Sequence, residues 1–138
     1  VGANLIVETL HGLQTGSIQP RRQNDSQATL APILKKEDGL INFSQPATEV
    51  LNRLRGFQPW PGAYSKFRGK SLQILNAAAF DHALVPAEMK VEGNHLFVGC
   101  GRETALEILE LQVEGKKRTP ASDFIRGYRP RPGEKLGA

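Results

Sequence analysis

Residues 59–62 read Pro-Trp-Pro-Gly. Two prolines one residue apart remove two backbone donors and fix two φ angles, so neither a helix nor a central strand can run through them. The hydrophobic period changes across this corner. Before it, Ala47, Val50, Leu51 and Leu54 recur three to four apart and Phe57 extends the stripe, which predicts a helix over 44–57. Ser44 is expected as its N-cap, Pro46 in its first turn and Gly56 at its end. Arg53 and Arg55 lie off the stripe and are expected to face outward.

After the corner the period falls to two. Residues 63–67 and 71–80 read as a hairpin around Arg68-Gly69-Lys70, and 88–91 and 95–100 as a second around Glu92-Gly93-Asn94. Residues 104–113 read as a long strand. Its inward side shifts from Leu106 and Ile108 to Leu109, Leu111 and Val113, the mark of a bulge. Thr119 as cap and Pro120 at the first position open a short helix that buries Phe124 and Ile125 and ends at Gly127. The class is mainly β with peripheral helices. Five short strands and one short helix fit a small antiparallel barrel of the oligonucleotide/oligosaccharide-binding (OB-like) kind, preceded by two helices and a linker.

The first of those helices rests on Ala3, Ile6, Leu10 and Leu13, with Gly16 as its stop. Such a short helix is marginal alone, so a packing partner is expected. A chain that opens inside a helix, without an initiator Met, reads as a piece of a longer protein. Residues 20–27 are polar. Residues 28–34 are apolar but broken by Pro32, at best an edge strand. Residues 35–39 read as a turn and 40–43 as a short extended stretch. Three parts are expected: a terminal helix over 1–19, a linker over 20–43 and a domain over 44–138.

The 138 residues, 39% of them hydrophobic, suffice for one ordinary core. No apolar run approaches the roughly 20 residues of a membrane span, and the N-terminus has no basic signal-peptide region. The one cysteine, Cys100, excludes an intrachain disulfide and any multi-thiolate zinc site, and is expected to be a small buried hydrophobe. These features fit an intracellular protein; a monomer without membrane contact, in a cytoplasmic compartment (the bacterial cytosol or an organelle matrix), is the expectation.

Catalytic constellations are scarce. His11, His82 and His95 show no metal spacing, Gly99-Cys100-Gly101 lacks the third glycine of a dinucleotide loop, and no phosphate-loop motif occurs. Glu107, Glu110 and Glu114 read as a solvated strand face. No catalytic or metal-binding residue is assigned.

Charge is unevenly spread along the chain. Residues 53–70 hold five basic residues and no acid, 71–115 carry a net −5, and 116–138 a net +5. Two cationic blocks around an acidic middle suit a polyanion if the fold unites them.

Several stretches resemble one family. Gly56-Phe57-Gln58-Pro59-Trp60-Pro61-Gly62-Ala63-Tyr64 is similar to the Arg-Ala-Phe-Asn-Pro-Trp-Pro-Gly-Ala signature of methionyl-tRNA formyltransferases. Val7-Glu8-Thr9-Leu10, Gln27 to Pro32, Lys35 to Gly39, Ile41 to Ser44, Glu110 to Lys117 and Ala121 to Tyr128 resemble further stretches in the same order. The resemblance implies the last helix of a catalytic domain, a linker and a tRNA-binding barrel. It implies that the catalytic Asn, His and Asp lie upstream, so that this chain is inactive alone. The formyl donor it implies is 10-formyltetrahydrofolate, and the partners are initiator methionyl-tRNA and the upstream formyltransferase domain. The alternative is a packing domain of a sugar-nucleotide or folate formyltransferase.

The expected RNA-binding residues are Lys66, Arg68 and Lys70 on the first hairpin and Lys116, Lys117 and Arg118 before the last helix, extended by Lys36 and Arg53. Trp60 is expected as a buried anchor between the 44–57 helix and the barrel, the alternative being an exposed ring that stacks on a base.

Overall fold

The structure is a computed structural model that describes residues 2–137. The chain divides after Pro32 into two compact units.

The first unit is built on helix α1, Gly2–Gln14. Gly16, at φ +75°, turns the chain back, and Ile18 N–H donates to the Gly12 carbonyl at 3.1 Å. Asn24 then accepts from Ser26 N–H at 3.1 Å and sets a short 3-10 turn at Asp25–Gln27. The edge strand considered for 28–34 does not form. Pro32 lacks a donor, and the stretch runs unpaired with Leu30 and Ile33 exposed.

The second unit holds the sheet. Its strands are β1 (Ala63–Phe67), β2 (Lys70–Phe80), β3 (Met89–Glu92), β4 (His95–Cys100), β5 (Thr104–Val113) and β6 (Thr119–Pro120). The order is β1-β2-β5-β4-β3, all neighbours antiparallel, with β6 added to β5 beside Glu110 and Leu111. The sheet curls into a barrel that strand pairing leaves open between β1 and β3. Residues 134–137 cross that gap. Met89 N–H donates to the Glu134 carbonyl (2.8 Å), Leu136 N–H to the Ala87 carbonyl (2.9 Å) and Gly137 N–H to the Lys66 carbonyl (2.8 Å).

The core follows from alternation. Phe67, Leu72, Ile74, Leu96, Val98, Leu106, Leu111 and Val113 fill the inner face. The expected bulge is present. Ile108 pairs with Ala77 and Glu110 with Asn76, so Leu109 is the extra residue. Leu109 is exposed rather than inward-facing, because a bulged residue is squeezed out of the ladder.

Helix α2 (Ala47–Gly56) buries Ala47, Val50 and Leu54. Its expected cap is overturned: Ser44 Oγ turns to Asn42 Oδ1, and Pro46 sits at the N-cap position without a side-chain bond. The acceptor comes from the sheet instead, where Thr104 Oγ1 takes the Ala47 N–H at 2.9 Å. Gly101 makes this approach possible. Its N–H donates to the Gln45 carbonyl at 2.9 Å, and the Ser44 carbonyl occupies the space a β-carbon would need. Helix α3 (Ala121–Tyr128) buries Phe124, whose ring packs on Phe67 with centroids 5.1 Å apart. Thr119 does not cap α3; it pairs with Leu111 as part of β6.

Candidate nucleic-acid interface

Whether the two cationic blocks can serve one ligand depends on register. Val113 pairs with Leu72, and the ladder continues one step: Glu114 N–H donates to the Ser71 carbonyl at 2.8 Å, and Ser71 N–H to Glu114 Oε2 at 3.0 Å. Lys70, at the start of β2, therefore lies beside the turn that carries Lys116 and Lys117. Adjacent strands are about 4.8 Å apart, so an acidic middle segment in the sequence separates blocks that are neighbours in space. Lys66, opposite Ser71 on β1, belongs to the same end of the sheet.

The turn at Lys36–Gly39 joins this group. Lys36, Tyr64, Lys66, Ser71, Gln73 and Glu114 line one open groove on the outer face of β1 and β2. Asp38 holds the turn by accepting from Lys35 N–H at 2.7 Å. Lys36, Lys66, Lys70, Lys116 and Lys117 are all exposed, and none has an ion-pair partner among the described residues.

The three arginines behave differently. Arg68 forks onto Glu134 at 2.7 and 2.9 Å and donates to the Tyr128 carbonyl at 3.0 Å, which ties the β1–β2 turn to the end of α3. This hydrogen-bonded guanidinium holds the Glu134 carboxyl below the usual carboxylate range. Arg118 forks onto Glu110 at 2.8 and 2.5 Å, which lowers the Glu110 pKa in the same way. Arg53 lies with its guanidinium 5.2 Å from the Phe57 ring and reaches the Asp38 carbonyl at 3.4 Å. The structure thus gathers the lysines at one end, while Arg68 and Arg118 are occupied by carboxylates.

Trp60 departs from the anchoring role expected of it. Its residue is 57% exposed. The corner is held by its neighbours: Gln58 Nε2 donates to the Leu75 carbonyl at 2.6 Å, and Gly62 N–H to the Phe57 carbonyl at 2.9 Å. Gly62, at φ +78°, also lies against the Gln73 amide, where a β-carbon would collide. Both proline bonds of the corner, 58–59 and 60–61, are cis. Pro61 lines the Lys36–Lys66 groove, and Pro59 lines a second one with Gln58, Gln73, Leu75, Glu110 and Arg118. Gln73 belongs to both.

Gln58, Tyr64 and Gln73 were not singled out by sequence reasoning. The placement of Tyr64 and Gln73 comes from the Tyr64–Gln73–Gln112 register across three strands, and that of Gln58 from its bond to the Leu75 carbonyl, neither of which a local pattern announces. The histidines contribute no centre: His95 pairs with Glu107 at 2.6 Å and His82 with Lys90 at 3.1 Å, and no cluster of three metal-ligating side chains occurs among the described residues. No described helix is long and apolar enough to cross a membrane.

The family of formyl transferase C-terminal domains matches residues 33–129. The chain is 58% identical over 137 residues to a methionyl-tRNA formyltransferase of Koribacter versatilis, covering 99% of the chain and 44% of that relative. It is 50% identical to one from Solibacter usitatus and 43% identical to one from Geobacter sulfurreducens, again covering 99% of the chain and 44% and 43% of the relatives. The chain thus spans less than half the length of these relatives and corresponds to their C-terminal part. Among solved structures, HypX from Aquifex aeolicus in complex with tetrahydrofolic acid shares the fold: TM-score 0.54 and 21% identity over 87% of this chain and 22% of that one.

Proposed function

The chain belongs to the formyl transferase C-terminal domain family, and from that premise we propose that it is the tRNA-holding part of a methionyl-tRNA formyltransferase. The parent enzyme passes a formyl group from 10-formyltetrahydrofolate to the amino group of initiator methionyl-tRNA. In this reading the donor and the reacting atoms are handled by an upstream formyltransferase domain, and no residue here is assigned to them. This part supplies position. Lys36, Lys66, Lys70, Lys116 and Lys117 meet phosphates, which fixes where the tRNA lies without reading its bases. Arg68 and Arg118 act one step back, holding the turns that carry the lysines. Arg53 extends the track at the 36–39 turn.

The observation that carries this reading is the Ser71–Glu114 exchange, which sets the two lysine-bearing turns side by side. A small-molecule partner would not need so broad a cationic end. The test is tRNA binding across a salt series. Affinity should fall steeply with salt, and each lost phosphate contact should reduce the log–log slope by about 0.9 or somewhat less. Lys66→Ala/Lys70→Ala and Lys116→Ala/Lys117→Ala should each weaken binding and flatten the slope, with little change in melting temperature. Parent-like binding by both double variants would place the RNA elsewhere.

A further inference from the structure

We propose that Trp60 is a stacking platform for an unpaired nucleobase, so that the RNA meets this face as a single-stranded segment rather than as duplex alone. The inference rests on the tRNA reading above and names the feature of the RNA that this face takes.

Four observations carry it. First, Trp60 is 57% exposed, while hydrogen bonds from Gln58 and Gly62 hold the corner. Second, it is flanked by Pro59 and Pro61, so little backbone freedom is left to lose when a ligand docks. Third, its two chain neighbours line open grooves, Pro59 one and Pro61 the other, with Gln73 common to both. The amide of Gln73, which lies against Gly62, offers a donor and an acceptor shared by the two grooves. Fourth, the surrounding charge suits a nucleotide. Residues 53–70 hold five cations and no acid, and Lys36 and Lys66 lie in the adjoining groove. The carboxylates that line the two grooves are engaged, Glu110 by Arg118 and Glu114 by the Ser71 amide. A base on the indole with its phosphates toward Lys36 and Lys66 satisfies both chemistries: stacking needs only a π-face, and the lysines need only the backbone.

A protein surface packed on the ring is the competing occupant. It would use the apolar ring but has no need of the lysines beside it.

Trp60 is the sole tryptophan of the chain, so its fluorescence reports on this site alone. The probes are an initiator tRNA transcript, a short single-stranded RNA and a blunt RNA duplex of the same sequence. The expected result is quenching by the tRNA and the single strand but not by the duplex. Trp60→Ala should lower affinity for the tRNA and the single strand by about 5- to 150-fold, the range for losing one stacked base. The salt slope should stay unchanged, because no phosphate contact is removed. Trp60→Phe should recover most of the affinity, and both variants should melt like the parent. Parent-like RNA binding by Trp60→Ala, with the lysine variants still impaired, overturns the stacking proposal and leaves the tRNA reading standing. Equal quenching by duplex overturns it as well. Parent-like binding by the lysine variants removes the cationic site on which the stacking proposal rests and overturns it too, whereas no tRNA binding by the parent chain is the failure of the tRNA reading itself.

Discussion

Replacing Thr104 by Val tests the claim that the sheet, not the helix's own sequence, caps α2. Thr104 Oγ1 accepts from Ala47 N–H at 2.9 Å and donates to the Gly101 carbonyl at 2.7 Å. Val keeps the shape of the side chain and removes the hydroxyl. Ala47 is 1% exposed, so water cannot replace the lost acceptor without opening the joint. An unsatisfied buried donor costs about 1–3 kcal/mol, and loss of an N-cap bond typically costs about 1 kcal/mol; the two describe the same bond and are not summed. Thr104→Val should therefore lower the unfolding free energy by about 1–3 kcal/mol in urea titrations, at an unchanged m-value. Thr104→Ser keeps the oxygen and should recover most of that loss. Ser44→Ala, at the position the sequence nominates as cap, should stay within about 0.5 kcal/mol of the parent. The argument fails if Ser44→Ala is the costlier change, or if Ser and Val at position 104 are equally destabilising.

Two further expectations follow from ionisation and burial. The Glu134 carboxyl is held low by Arg68, so its contribution to stability is present above the unfolded carboxylate pKa of about 4.3 and is lost as pH falls through the lower folded value. Urea titrations from about pH 7 to pH 3 should show the gap between parent and Glu134→Gln closing in acid, whereas a constant gap would mean that Arg68 does not hold the carboxyl. Burial pushes the Cys100 thiol up to about 11, so a disulfide reagent should leave it untouched in the native protein near pH 8 and modify it promptly in urea; rapid native modification would contradict its buried position.

The features that sequence reasoning reached are those whose causes are local. The hairpins around Arg68-Gly69 and Gly93-Asn94 lie within a residue or so of the expected ends, because alternation and a turn glycine lie in one short window. The slip within β5 was legible for the same reason. Its extra residue was not, since whether Leu109 or a neighbour leaves the ladder depends on β2. The cap of α2 was beyond reach because its partner lies 57 residues away. The exposure of Trp60 was equally hidden. A tryptophan between prolines is rigid whether buried or not, and only the way Gln58 and Gly62 dock leaves the residue more than half exposed. Within the candidate site, sequence supplied the lysines, and register supplied both their proximity and the diversion of Arg68 and Arg118 onto carboxylates.

The segment 134–137 touches both open margins of the sheet, β1 at Lys66 and the approach to β3 at Ala87 and Met89. An uncovered margin is a row of free donors and acceptors that a second chain can extend, strand against strand. Here four residues blunt both margins at once, and the fork between Arg68 and Glu134 pins them down. Colloidal behaviour is thereby linked in part to a single ion pair. Acid that protonates Glu134 removes one tie of a segment that three backbone hydrogen bonds and the buried Leu136 also hold over the two seams, so both seams share one fastening.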